Sequence, residues 1–113
     1  MRWDDVVAIG LALPGVEVGS AYGTPALRVG GAFMCRLKDD GSTLAIRCDP
    51  DERPLLLDAH ASLYVTPHYE AWPMVLVDLP TAEPDLVREL VEDAWVEKAP
   101  KRAVETFRAD RGA

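Results

Sequence analysis

Cysteine is scarce in this chain: Cys35 and Cys48 are the two present in 113 residues. They form no CxxC pair, and two ligands cannot close a zinc site. The expectation is two buried thiols in strands, since free cysteine behaves as a small hydrophobe. Histidine is equally scarce. His60 and His68 stand at no metal-binding spacing and no third ligand accompanies them, so neither a metal nor a cofactor is expected. No apolar run approaches the ~20 residues that a membrane-crossing helix needs. The opening Met1-Arg2-Trp3-Asp4-Asp5 puts an acidic pair before a short apolar run, which fits an amphipathic helix and not a signal peptide. The expected setting is therefore cytoplasmic, away from membranes. Positive charge is also in deficit, with 12 basic against 19 acidic residues and a net charge of −7. Phosphate neutralisation supplies most non-specific affinity for nucleic acid, so a nucleic-acid role would need a local basic patch.

Catalytic signatures are missing too. Ser20, Ser42 and Ser62 lie in no nucleophile-elbow context. There is no GxGxxG and no P-loop. The acids have local roles: Asp39-Asp40 at a hairpin tip, Asp49, Asp51 and Glu52 at a helix start, and Glu89, Glu92 and Asp93 on a helix surface. With no nucleophile, base or metal set in view, the chain reads as a binding module and not an enzyme.

What is present is an ordinary globular composition, 49% apolar and 27% charged, in a length that suits one domain over residues 1–113. Helical patterning runs from Trp3 to Ala12 and stops at Pro14-Gly15. A β region follows from Val16, with a turn at Tyr22-Gly23-Thr24-Pro25. Strands over Ala26–Val29, Ala32–Lys38 and Thr43–Cys48, joined by Gly30-Gly31 and Asp39-Asp40-Gly41-Ser42, read as an antiparallel meander. Asp49-Pro50 opens a helix to Ala59 with Leu55 to Leu57 inward. Leu63–Val65 is a short strand and residues 66–71 a loop. Pro73–Leu79 is a strand so continuously apolar that it should be buried on both faces. The longest helix reaches Lys98, Pro100 breaks it, Lys101–Arg108 forms a last one, and residues 111–113 fray. The order α-β(4)-α-β(2)-α-α is an α+β pattern: a mostly antiparallel sheet with helices packed on one face.

Strand alternation places Phe33, Cys35 and Leu37 on one side of the sheet and Met34, Arg36 and Lys38 on the other. By the same rule Leu44 and Ile46 oppose Arg47, and Leu27 and Val29 oppose Arg28. Arg28, Arg36, Lys38 and Arg47 then share the face away from the helices, a cationic patch able to meet phosphate or carboxylate. The bland alternative is an ordinary solvated face paired with nearby acids. A second basic cluster includes Lys101 and Arg102, where helix termini account for some of the charge. His68, Tyr69 and Trp72 mark a loop that could line a pocket, although a loop histidine packed on aromatics is the simpler reading.

Several motifs in their order and spacing resemble the MmcQ/YjbR family. They are Leu13-Pro14-Gly15-Val16, Tyr22-Gly23-Thr24-Pro25-Ala26-Leu27-Arg28-Val29 followed by Phe33, Val65-Thr66-Pro67-His68-Tyr69, Trp72-Pro73-Met74-Val75-Leu76-Val77, and Asp93-Ala94-Trp95-Val96 followed by Ala99-Pro100-Lys101-Arg102. The resemblance implies a CyaY-like or secretion-chaperone-like fold and DNA binding through a double wing of hairpins. It brings no catalytic residues. It points to Arg28 and Lys101-Arg102 as basic positions, and to the hairpins at Gly30-Gly31 and Asp39-Asp40-Gly41 as wings. The second tip is acidic here, and acids repel phosphate. Three binding roles follow as expectations: DNA at the basic sheet face, a protein partner or self-association, and a small anion held by Arg28 and Arg36 beside His68.

Overall fold

The computed structural model of the protein describes residues 1–112. Nine principal elements follow one another as α1 (Trp3–Leu11), β1 (Val16–Ala21), β2 (Thr24–Val29), β3 (Ala32–Leu37), β4 (Thr43–Arg47), α2 (Arg53–Ala59), β5 (Leu63–Tyr64), β6 (Met74–Asp78) and α3 (Pro84–Lys98), and the C-terminal α4 (Lys101–Gly112) completes the fold. A single antiparallel sheet has the order β1-β2-β3-β4-β6-β5, so the first four strands form a meander and β6 inserts between β4 and β5. This is the expected α+β architecture. Among the described residues no helix is long and apolar enough to cross a membrane.

One face of the sheet carries the main core. Leu27, Met34, Leu44, Ile46, Val75 and Val77 are wholly buried there against α1 and α3. The stripe Leu86, Val87, Leu90, Val91, Ala94 and Trp95 recurs at helical spacing and buries one side of α3. Pro84 starts that helix where its missing N–H is harmless, and Lys98 suits its negative end. Trp95 fixes several layers at once. Its indole N–H donates to the Pro14 carbonyl at 2.8 Å, and its ring meets Phe107 of α4 edge-on at 5.0 Å. Gly10 lets α1 approach the sheet: a Cβ there would lie 2.5 Å from Leu27 Cδ1.

The structure corrects the sequence reading in five places. The first turn is two residues long, not four, and Thr24 and Pro25 belong to β2. Tyr22 (φ +54°) and Gly23 (φ +79°) make the turn, and Ala21 faces Thr24 across it, the primed geometry that follows strand twist. Second, a bulge breaks the alternation in β3. Leu27 pairs with Cys35 but Arg28 pairs with Phe33, leaving Met34 as the extra residue. Phe33 and Met34 thereby exchange the expected faces. Met34 enters the helix-covered core, and Phe33 packs with Ala45, Met74, Leu76 and Tyr69 on the opposite side.

Third, α2 begins at Arg53, not at Asp49. The Asp49 side chain instead closes a turn by accepting the Asp51 N–H at 2.9 Å. Leu55 is 74% exposed, so only Leu56 and Leu57 of the expected inward run touch the core. Seven residues at the sheet margin are too short a helix to bury three consecutive side chains on one stripe. Fourth, the segment after β5 is not wholly irregular: Pro67–Tyr69 form one 3₁₀ turn. Fifth, Arg111 and Gly112, expected to fray, continue α4, where Arg111 pairs with Glu92 at 3.0 Å. Ala113 lies outside the described residues. The continuous apolar strand β6 is buried on both faces as expected, because each face has its own apolar layer.

Candidate functional site

The sheet face away from the helices is not an open wet surface. Ala45, Met74 and Leu76 form its apolar floor, and the segment that carries His68, Tyr69 and Trp72 folds back over it. Between them lies a cleft of about 670 Å³, well within the range of small-ligand sites. Its lining includes Arg28 from β2, Phe33 and Arg36 from β3, and Arg47 from the end of β4. Tyr22 from the β1–β2 turn lines it as well, as do His68, Tyr69 and Trp72 from the overlying segment. Tyr22, Phe33, Tyr69 and Trp72 are half of the eight aromatic residues in the chain. Gathering at one concavity sets them apart from rings that merely fill a core.

Each arginine is oriented by its neighbours. Arg28 donates through Nε and Nη2 to the Ser20 carbonyl at 3.4 and 3.2 Å, and through Nη1 to the Gly31 carbonyl at 3.1 Å. Its guanidinium lies 6.0 Å from the Phe33 ring centroid. Arg36 donates to Thr24 Oγ1 at 3.0 Å and to the Tyr69 hydroxyl at 3.2 Å, and it stacks 5.2 Å from the Tyr22 ring. These partners are neutral, so they hold two guanidinium groups in place without cancelling their charge. Arg47 is different. It reaches Glu97 of α3 at 3.5 Å, and its buried Nε has no hydrogen-bond partner among the described residues. Among the described residues no carboxylate lines the cleft. A chain of net charge −7 thus presents three guanidinium groups in one concave site, the arrangement that attracts and fixes carboxylate or phosphate.

Arg53, which the sequence reading treated only as part of a helix, turns out to anchor the overlying segment. Nη1 donates to the carbonyls of Trp72 (2.7 Å), Met74 (3.1 Å) and Tyr69 (3.3 Å), and Nη2 to that of Glu70 (2.8 Å). One side chain therefore pins the backbone on both sides of Trp72. The imidazole of His68 meets the Tyr69 ring edge-on at 5.0 Å.

The four sheet-face cations are thus divided. Arg28, Arg36 and Arg47 line the cleft, and Lys38 stands beside it with its ammonium 5.3 Å from the Tyr69 ring centroid. His68, Tyr69 and Trp72 also line it. Lys101 and Arg102 are not brought into this site: they are exposed at the start of α4, which packs through Val104 and Phe107 on the helical side. Asp40, at the acidic hairpin tip, is a turn-forming group. Its carboxylate accepts the Ser42 and Thr43 N–H groups at 2.9 and 2.8 Å and the Thr43 hydroxyl at 2.6 Å, which lowers its pKa to about 2. Both thiols are buried and free. Desolvation pushes Cys35 up to about 12 and Cys48 up to about 11, so neither is a ready nucleophile.

Tyr22, Phe33 and Arg53 were missed as site residues for separate reasons. Phe33 was assigned to the wrong face because nothing local announces the bulge. Arg53 acts through backbone carbonyls 16 to 21 positions away. Tyr22 did carry a signal, a bulky ring where a tight turn prefers Asn, Asp or Gly.

Comparison with known proteins agrees with the architecture. The chain is 34% identical over 77 residues to uncharacterized proteins of Mycobacterium tuberculosis and Mycobacterium bovis, an alignment that covers 68% of this chain and 53% of each relative. The chain thus spans about half the length of the curated relatives it matches. The crystal structure of Deinococcus radiodurans protein DR2400, with a DUF419 domain, superposes with a TM-score of 0.71 at 22% identity, over 84% of this chain and 76% of that one. The fold is therefore shared with that protein. The YjbR family model matches residues 11–97, which include the whole sheet and every residue that lines the cleft, and the chain belongs to the YjbR family.

Proposed function

We propose that the protein is a non-enzymatic binding module that takes an anionic ligand in the cleft on the helix-free face of its sheet. The observation that carries this reading is the convergence of Arg28, Arg36 and Arg47 on a concavity whose lining, among the described residues, holds no carboxylate. Positioned donors, an apolar floor and aromatic walls are what a ligand site needs for orientation and affinity. Among the described residues the lining itself offers cations, rings and one imidazole but no carboxylate or thiol, which favours binding over turnover.

The same chemistry accommodates a nucleic-acid strand, the DNA-associated role that the family resemblance implies. A concave site suits a splayed base and its phosphate better than the convex backbone of a duplex. The anionic-ligand reading therefore covers a free small anion and a single strand together, and ranks duplex DNA below both.

The test has two arms. Thermal melts with inorganic phosphate and pyrophosphate should show stabilisation, which reaches about 2.7 kcal/mol at 100-fold the Kd. Fluorescence anisotropy with labelled single- and double-stranded DNA at two salt concentrations should show single-strand binding that weakens with salt. Arg36→Gln with Arg47→Gln should abolish both responses while the circular dichroism spectrum is retained. The absence of both stabilisation and low-salt binding would sink the reading.

A further inference from the structure

We propose that the ligand of this cleft is a planar ring bearing an anionic group, the chemistry of a nucleotide, and that Tyr22 is the ring against which it stacks. This rests on the anion-binding reading above and adds the ring.

Tyr22 has φ +54° and is the one residue other than glycine with positive φ among the described residues. It fills the first central position of a two-residue primed turn, with Gly23 behind it at φ +79°. Asn, Asp and Gly fill that position without difficulty, whereas a bulky side chain crowds its own backbone there. Burial does not compensate the strain. At 86% Tyr22 is the most exposed of the large apolar and aromatic residues. A strained residue that contributes nothing to the core points to a role outside folding.

That role is visible in its surroundings. The Tyr22 ring lines the cleft, and the Arg36 guanidinium lies 5.2 Å from its centroid. Arg36 is itself fixed by Thr24, two residues past Tyr22, and by Tyr69 on the overlying segment. A tyrosine held by its turn and an arginine held by neutral partners form a stacking platform next to an uncancelled charge. Trp72, 58% exposed, supplies a second ring in the lining, positioned by Arg53. Aromatic faces accept any base, and guanidinium groups accept phosphate oxygens. A ligand with both parts uses the whole lining; a bare anion leaves the exposed rings idle, and a neutral ring leaves the arginines idle.

Calorimetric titration separates these cases. The ligands are adenosine 5′-monophosphate, adenosine, inorganic phosphate and an eight-residue deoxyadenosine strand, each with wild type, Tyr22→Asn and Tyr22→Phe. The monophosphate should bind at least about tenfold tighter than adenosine or phosphate. Tyr22→Asn should melt no lower than wild type, because asparagine suits the turn. It should nevertheless lose monophosphate affinity by about 5- to 150-fold, the usual range for one base–aromatic stack, with phosphate affinity little changed. Tyr22→Phe should restore binding. Tighter binding of the strand than of the monophosphate would identify nucleic acid as the source, and the reverse a free nucleotide; both support the proposal. Monophosphate binding no tighter than phosphate, or unaffected by Tyr22→Asn, would overturn the ring and leave the anion site standing. A marked fall in melting temperature for Tyr22→Asn would make the tyrosine structural and also overturn it. No binding of phosphate, monophosphate or strand would remove this proposal and the anion-binding reading together.

Discussion

Replacing Arg53 by alanine should loosen the cleft from a distance. The guanidinium makes four hydrogen bonds to carbonyls between Tyr69 and Met74. A hydrogen bond in a folded protein contributes about 0.5–1.5 kcal/mol net, and one to a charged group about 1.5–3. Two of these four acceptors are in exposed surroundings, where water replaces the lost donor, so the lower figure applies to them. The bonds also share one guanidinium and do not add fully. The expected loss is about 2–4 kcal/mol, which in a domain of this size lowers Tm by roughly 8–16 °C. Arg53→Lys should recover less than half, because an ammonium has no planar fork to span four acceptors. Differential scanning calorimetry reads the stability, and hydrogen exchange at the Trp72 and Met74 amides reads the local effect. A variant within 2 °C of wild type, with unchanged exchange in this segment, would refute the view that Arg53 holds the cleft wall.

Three other outcomes follow from the packing and the titrating groups. Gly10→Ala places a methyl 2.5 Å from the buried Leu27 side chain, a clash that costs about 1–3 kcal/mol and outweighs the roughly 0.5–1 kcal/mol alanine gains in a helix; an unchanged urea midpoint would contradict it. Asp40 has a pKa of about 2 against its model-peptide 3.8, chiefly from the Thr43 hydroxyl and the Ser42 N–H. Its contribution is therefore complete above about pH 4 and lost as pH falls through 2. Asp40→Asn should be less stable near neutrality and flatter between those limits; a stability–pH curve parallel to wild type would argue against this. Buried Cys35 and Cys48, with pKa values near 12 and 11, should resist iodoacetamide in the native protein and react fully in guanidinium, as read by mass spectrometry; prompt native labelling would show that the core around them opens readily.

Sequence periodicity revealed the elements because each has its own apolar rhythm. The stripe from Leu86 to Trp95 repeats at 3.6 residues, and β6 is apolar on both faces because layers really lie on both sides. The cationic face followed from alternation alone, and Arg28, Arg36 and Arg47 do converge. The concavity was not legible in the same way. It needs the bulge at Met34, which brings Phe33 into the site and has no local signature. It also needs the overlying segment, held by Arg53 through contacts 16 to 21 residues apart. Lys101 and Arg102 looked equivalent to the sheet cations by charge, but charge does not say on which layer a helix packs.

Nuclear magnetic resonance can locate an anion bound in the cleft on the helix-free face. Pyrophosphate is titrated into isotope-labelled protein at low salt, and backbone amide and arginine Nε–H shifts are followed. Saturable shifts gathered on Tyr22, Arg28, Phe33, Arg36, Arg47 and Trp72 are expected. Shifts confined to Lys101, Arg102 and the rest of α4, or no shifts at all, would contradict it.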